Sequence, residues 1–360
     1  MNTYFILVTA ICIYFFALSF VKLSKLQHRF FLSFGVCILV FAATFRPHVF
    51  PDTSSYENIF NMIDVNRNYG FNFLNKNVET SVEYGFLWLI WIIKKIGISN
   101  TRIFFFLIAL LQVLIFRHVL LKYSNKNSET EKQMICMILP YFGIINMFVT
   151  IRVGLAFAIA LLAFVQRNRG IKSLLLKILN YVIAFSIHRI IILFILLEMI
   201  THIKRVFSLK TYVVIYIISI MMIICGKYVG HFIANIMEYI SENLDFLNYS
   251  EYLKNTDFNN YEIPFRVLYF CVINSYPLLN YKYIKEKNLG SLINVAIVAI
   301  FVSSFFCSIN GISRIYDCFN IISIIYISTQ LSQNKESYVI NGLLKTINML
   351  GLAIVYRLLI

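Results

Sequence analysis

The sequence predicts an all-α, polytopic integral membrane protein, a single domain over 1–360 with about twelve transmembrane helices and one short re-entrant or interfacial helix. Three observations carry this. Hydrophobic residues make up 59% of the chain and charged residues 14%, against about 25% charged in soluble domains. Apolar stretches of about 16 to 23 residues recur from end to end, each long enough to cross a hydrocarbon core. The net charge of +15 does not form one basic surface for nucleic acid, because the lysines gather in short loops. That is the positive-inside pattern.

The first helix is expected over 3–21. It lacks a basic leader and a small-residue cleavage site, so it reads as a retained span. The second is expected over 30–45. Lys22, Lys25 and Arg29 between them put that loop in the cytoplasm and the next segment outside. The first large external loop, 46–102, opens on Arg46-Pro47-His48-Val49-Phe50-Pro51-Asp52, where two prolines bracket a rigid corner. Asp52 there reads either as a functional carboxylate or as the N-cap of a helix beginning near Thr53. The run 84–97 is short for a span and carries Trp88, Trp91 and Lys94-Lys95. Crossing would reverse the charge bias of every later loop, so it is expected to be re-entrant or interfacial.

Further helices are expected near 103–121, 133–149, 150–166, 173–188, 189–203, 211–233, 264–280, 291–309, 314–332 and 339–358. A second external loop, 234–262, is polar and aromatic, with Glu238, Asp245, Tyr249, Tyr252 and Tyr261. The seven cysteines lie almost all inside apolar runs without C-x-x-C spacing and read as small core residues.

This topology gathers arginines at the external ends of helices: Arg46, Arg152, Arg189, Arg266 and Arg314. Arginine is disfavoured on that side, and a helix start favours anions over cations. An anion bound among them accounts for both features, since guanidinium holds phosphate bidentately and helix N-termini add N–H donors. Taken singly, each arginine also reads as an interfacial anchor or the partner of a nearby acid, as Arg314 with Asp317. His188 sits where an apolar helix meets the outside, with Arg189 beside it favouring a neutral imidazole able to accept a proton. The sequence has no Gly-rich phosphate loop, H-E-x-x-H, G-x-S-x-G or D-x-D. The expected chemistry therefore uses no metal, no cofactor and no nucleotide donor.

The pattern R-x-x-x-x-x-D-T-x-x-Y, here Arg46, Asp52, Thr53 and Tyr56, resembles the EpsG-like branch of the O-antigen polymerase (Wzy) group. Glu83-Tyr84-Gly85-Phe86 is similar to that group's E-x-G-Y, and Ile151-Arg152-Val153-Gly154-Leu155-Ala156 to its I-R-x-x-L-A. His188 and the late Arg314 complete the order. Pro51, Val153 and Arg189 depart from the group's usual residues.

The resemblance implies a glycosyltransferase in the bacterial inner membrane that takes glycan from undecaprenyl pyrophosphate and joins it to the sugar end of another lipid-linked repeat. It implies pyrophosphate on the arginines, Asp52 or His188 as the base, and glycan on Tyr56, Glu83 and Tyr84. Its partners would be the lipid-linked oligosaccharide, membrane lipids and a chain-length regulator protein. By analogy, 84–97 resembles the interfacial helices of GT-C-type glycosyltransferases. A flippase for the same lipid-linked oligosaccharide and a ligase using the same donor are the competing readings. A flippase needs polar residues along its whole path, and here they collect at one face.

Overall fold

The computed structural model describes residues 2–48, 50–65, 82–124, 127–166, 170–243, 261–309, 313–333 and 338–359. It is all-helical, with no strand among the described residues. The chain forms two compact units, Met1–Ile192 with Val355–Ile360, and Leu193–Ile354.

The first unit holds α1 (Asn2–Leu18), α2 (Lys25–Thr44), α3 (Pro51–Met62), α4 (Tyr84–Lys95), α5 (Thr101–Tyr123), α6 (Ser128–Ile138), α7 (Ile151–Phe164) and α8 (Ile171–Ile187). Its starts follow local chemistry. Ser24 and Gln27 form a reciprocal capping box at α2, and Asn100 caps α5 through the Arg102 amide. Between α6 and α7 the chain runs as two π-helical segments, Leu139–Gly143 and Ile145–Val149. Pro140 lies in the first and has no N–H for an i→i−4 bond, so the register widens there. The expected helix 133–149 is thus α6 continued as π-helix. Thr150 breaks it, its amide reaching back to the Ile145 carbonyl at 2.8 Å.

Helix α7 is buried almost all round and packs against α5 and α8. It approaches the π-helix closely: a Cβ on Gly154 would strike the Asn146 carbonyl and lie 2.7 Å from Asn146 Cβ. The last turn of α17 (Tyr338–Leu359) also belongs here, where the Tyr356 hydroxyl donates to the Phe5 carbonyl at 2.6 Å.

The second unit holds most of α9 (Ile192–Thr201), then α10 (Leu209–Ile224), α11 (Gly226–Asn243), α12 (Phe265–Asn274), α13 (Tyr276–Leu279), α14 (Tyr281–Glu286), α15 (Gly290–Phe305) and α16 (Ser313–Gln333). Asn294 joins α10 and α15, accepting from the Tyr212 hydroxyl at 2.7 Å and donating to the Ile203 carbonyl at 2.8 Å. Deeper, Asn274 donates to Asn320 at 2.6 Å and Asn320 to Ser303 at 2.8 Å, while Ser323 donates to Asn274. All four are fully buried, so α12, α15 and α16 share one polar network in an apolar core.

Among the described residues two helices are long and apolar enough to span a membrane, Lys25–Thr44 and Thr101–Tyr123, or three if a bent pair counts as one. That pair corrects an expectation. The helix expected over 211–233 is broken at Cys225, and α11 leaves α10 at 89°. The Tyr261 hydroxyl donates to the Ile223 carbonyl at 2.8 Å, satisfying a group the break frees. The helix also continues to Asn243, so the first part of 234–262 is α11 rather than loop. Asp245, Tyr249 and Tyr252 lie outside the described residues.

Candidate functional site

The end of α2 sets the first half of the site. Phe45 closes the helix, and Arg46 follows it, only 5% exposed. Its guanidinium lies 3.7 Å from the Phe105 ring centroid and 5.6 Å from that of Tyr56. Nη1 makes a long 3.5 Å contact to the Phe148 carbonyl, while buried Nε and Nη2 have no hydrogen-bond partner. Burial lowers the guanidinium to about 10, against the opposing pull of Tyr56, Tyr4, Asp52 and Glu57. It therefore keeps its charge at neutral pH.

Helix α3 starts at Pro51, with Phe50 as a residue that gives no side-chain cap. Asp52 is therefore not the N-cap of a helix beginning near Thr53. Proline suits the first helical position because its missing N–H would be unpaired there anyway, and Asp52 falls in the first turn, where the dipole favours an anion. Thr53 is 1% exposed, with a hydroxyl that has no partner. Tyr56 is 5% exposed, its ring 5.7 Å from Phe86, so it faces protein.

Helix α4 is the short helix expected over 84–97, and it is tied to α3. Lys94 Nζ donates to the carbonyls of Phe60 at 2.8 Å and Ile63 at 2.5 Å, capping the α3 C-terminus. At its other end α4 meets the end of α8. A Cβ on Gly85 would stand 2.6 Å from the Ser186 carbonyl oxygen, so only glycine allows that approach.

This contact brings Glu83 into the second half of the site. Its Oε2 lies 2.8 Å from Arg152 Nη1, an ionic contact whose angles fall short of an aligned hydrogen bond. The pair is nearly enclosed, with side-chain exposures of 13% and 11%. Glu83 Oε1 accepts the Arg189 backbone N–H at 3.3 Å and lies 3.9 Å from His188 Nδ1. His188 Nδ1 accepts the Ile190 N–H at 3.3 Å, so in the neutral ring Nε2 carries the proton. Tyr84 is exposed, and so is Arg189.

The structure thus joins Glu83, Arg152, His188 and the Arg189 amide in one cluster. It joins Arg46 and Tyr56 in another, and Asp52 acts on Arg46 electrostatically. The two are linked through the Tyr56–Phe86 ring contact and through Phe148, four residues before Arg152. Arg266 and Arg314 belong to the second unit. Arg266 donates through Nε at 3.0 Å and Nη2 at 2.5 Å to the Tyr316 hydroxyl, and the Arg314 carbonyl accepts from the Cys318 thiol.

Sequence reasoning missed two buried amides beside the α7 start. Gln112 Nε2 donates to the Ile151 carbonyl at 2.6 Å, and Asn146 lies against Thr150 with its Nδ2 unpartnered. A glutamine inside an apolar span was the available signal. Among the described residues no group of three His, Cys, Asp or Glu side chains is placed to share a metal.

Comparison with curated proteins and with solved structures gives no match. A sequence model described as the EpsG family matches residues 29–359, nearly the whole chain. The chain belongs to the EpsG family, a family of polysaccharide polymerase-like membrane proteins.

Proposed function

We propose that this chain is a polysaccharide polymerase of the bacterial inner membrane. It transfers glycan from undecaprenyl pyrophosphate onto the sugar end of a second lipid-linked repeat at the external face. The observation that carries the reading is the Glu83–Arg152 contact beside His188, joined through Phe148 to a buried Arg46 with two unpartnered nitrogens, Nε and Nη2. A buried cation with unused donors suits a phosphate oxygen, and a planar guanidinium stacked on Phe105 presents them in a fixed direction.

In this reading the acceptor hydroxyl attacks the anomeric carbon as the bond from that carbon to the pyrophosphate oxygen breaks. The hydroxyl proton passes to Asp52. The charge growing on the leaving pyrophosphate is met by Arg46 and Arg152. Glu83 orients Arg152 and the His188–Arg189 turn, His188 donates through Nε2, and Tyr84, the exposed aromatic, contacts glycan. Tyr56 forms the wall behind Arg46. Metal and cofactor play no part in this scheme. In this reading the shorter apolar helices, Tyr4–Leu18, Ile151–Phe164, Phe265–Leu279 and Gly290–Phe305, lie in the membrane as well.

Purified protein given only lipid-linked repeats should yield products longer than one repeat, and Arg152→Ala should abolish elongation while leaving the protein inserted. Arg314→Ala tests the wider arginine set read from the sequence. Transport of the repeat without elongation would mean a flippase. Transfer only to a final acceptor would mean a ligase. Wild-type chain lengths from Arg152→Ala would refute the site.

A further inference from the structure

A groove of about 80 Å³ runs along the first unit between α1, α2, α5 and the π-helical segment. Leu32, Val36, Val113, Phe116 and Leu139 are representative of its lining, which is apolar except at Arg117 and Asn146. On α2 it extends from Leu32 to Leu39, about 10 Å of helix at 1.5 Å per residue. That is less than the roughly 15 Å depth of one leaflet's hydrocarbon.

The groove has a charged end. Arg117 lines it there, with a side chain 32% exposed and a buried Nε lacking an aligned hydrogen bond. Exposed Lys25 and Arg29 in the first turns of α2, and exposed Lys122 in the last turn of α5, lie at the same end of these helices. The buried acid nearby is already shared: Glu131 lies 2.9 Å from His28 and 3.7 Å from Arg117. Glu129 is occupied by Lys132 at 2.8 Å. The balance at this end is therefore cationic, and the positive-inside bias assigns such an end to the cytoplasmic leaflet.

We propose that this groove binds one acyl chain of an anionic phospholipid of that leaflet, with its phosphate on Arg117. The charge complementarity of the rim selects the occupant. A polyprenyl pyrophosphate held at Arg46 would have its phosphates at the opposite end of α2, and Arg46 does not line the groove. The site stands apart from the polymerase reading and does not depend on it.

Native mass spectrometry of the full-length protein, titrated with phosphatidylglycerol, phosphatidylethanolamine and undecaprenyl phosphate, tests this. The wild type should retain phosphatidylglycerol over phosphatidylethanolamine. Arg117→Gln should weaken phosphatidylglycerol roughly fivefold and remove the headgroup preference. Val36→Trp should displace both lipids by filling the groove. If Val36→Trp fails to fold, the headgroup preference and its loss in Arg117→Gln still decide. Equal retention of the two phospholipids by the wild type, undiminished binding in Arg117→Gln, or displacement of phosphatidylglycerol by undecaprenyl phosphate would each overturn the proposal.

Discussion

Removing the charge of Glu83 or Arg152 separates what the pair does for the fold from what it does for chemistry. At 2.8 Å, with an effective dielectric near 20, the gross attraction is about 6 kcal/mol. Much of it offsets the desolvation of both groups, and loss of one partner from a buried pair costs about 3–5 kcal/mol. Exposures of 13% and 11% put this pair near the lower figure. Glu83→Gln and Arg152→Gln singly should therefore each destabilise by about 3 kcal/mol, because each leaves an uncompensated charge in a nearly closed site. The double variant, Glu83→Gln with Arg152→Gln, has no charge to strand, and the amide oxygen that replaces the Glu83 carboxylate can still accept the Arg189 N–H. It should regain most of the lost stability and none of the activity. Thermal unfolding of the purified protein reads the first quantity, and glycan chain length in cells reads the second. Wild-type stability in both single variants would show that the contact is not an energetic pair. Full-length polymer from the double variant would refute any role for the Arg152 charge in the reaction.

Arg46→Lys keeps the charge but loses the planar contact with Phe105 and the two unpaired donors; polymer length should collapse as it does for Arg46→Ala, measured by glycan gel. Gly85→Ala forces a Cβ against the Ser186 carbonyl and should cost about 1–3 kcal/mol, seen as a lowered unfolding temperature and shortened polymer together. Lys94→Met removes two hydrogen bonds to the α3 C-terminus at about 1–3 kcal/mol, and should leave α3 more open to proteolysis.

The helices were legible wherever an apolar run ended at a polar or breaking residue. α2, α5 and α8 lie within a few residues of their expected ranges, and the short α4 ends on the Lys94-Lys95 pair that marked it. What the sequence concealed depends on long-range contacts. An apolar run has the same composition straight or bent, so 211–233 reads as one span; its break at Cys225 is stabilised by Tyr261, far along the chain. The start of α3 is easily misread because Asp is a strong N-cap, yet Pro51 beside it takes the first helical position. In the site, the residue types were visible but their partners were not. Glu83 reads alone as a glycan contact, and only the close approach of Gly85 to Ser186 carries it to Arg152 and the His188 turn.

The placement of Arg152 traces back to one residue without an N–H. Pro140 cannot continue the α-helical register, and the chain answers with two π-helical segments that end at Thr150. That break gives α7 a new start at Ile151, one residue before Arg152, close to where Phe148 offers its carbonyl to Arg46. A helix continued straight from α6 through 150–164 would have no free start there, and its carbonyls would be used internally. The π-helix therefore delivers an open carbonyl for one arginine and a helix N-terminus beside the other. Gly154 lets α7 pack against Asn146 closely enough to hold that arrangement. Pro140→Ala should allow ordinary α-helical bonds to re-form. The protein should become no less stable, while Arg152 turns away from Glu83 and polymer is lost. A variant that keeps wild-type polymer with a regular helix through 139–149 would show that the break is incidental to the site.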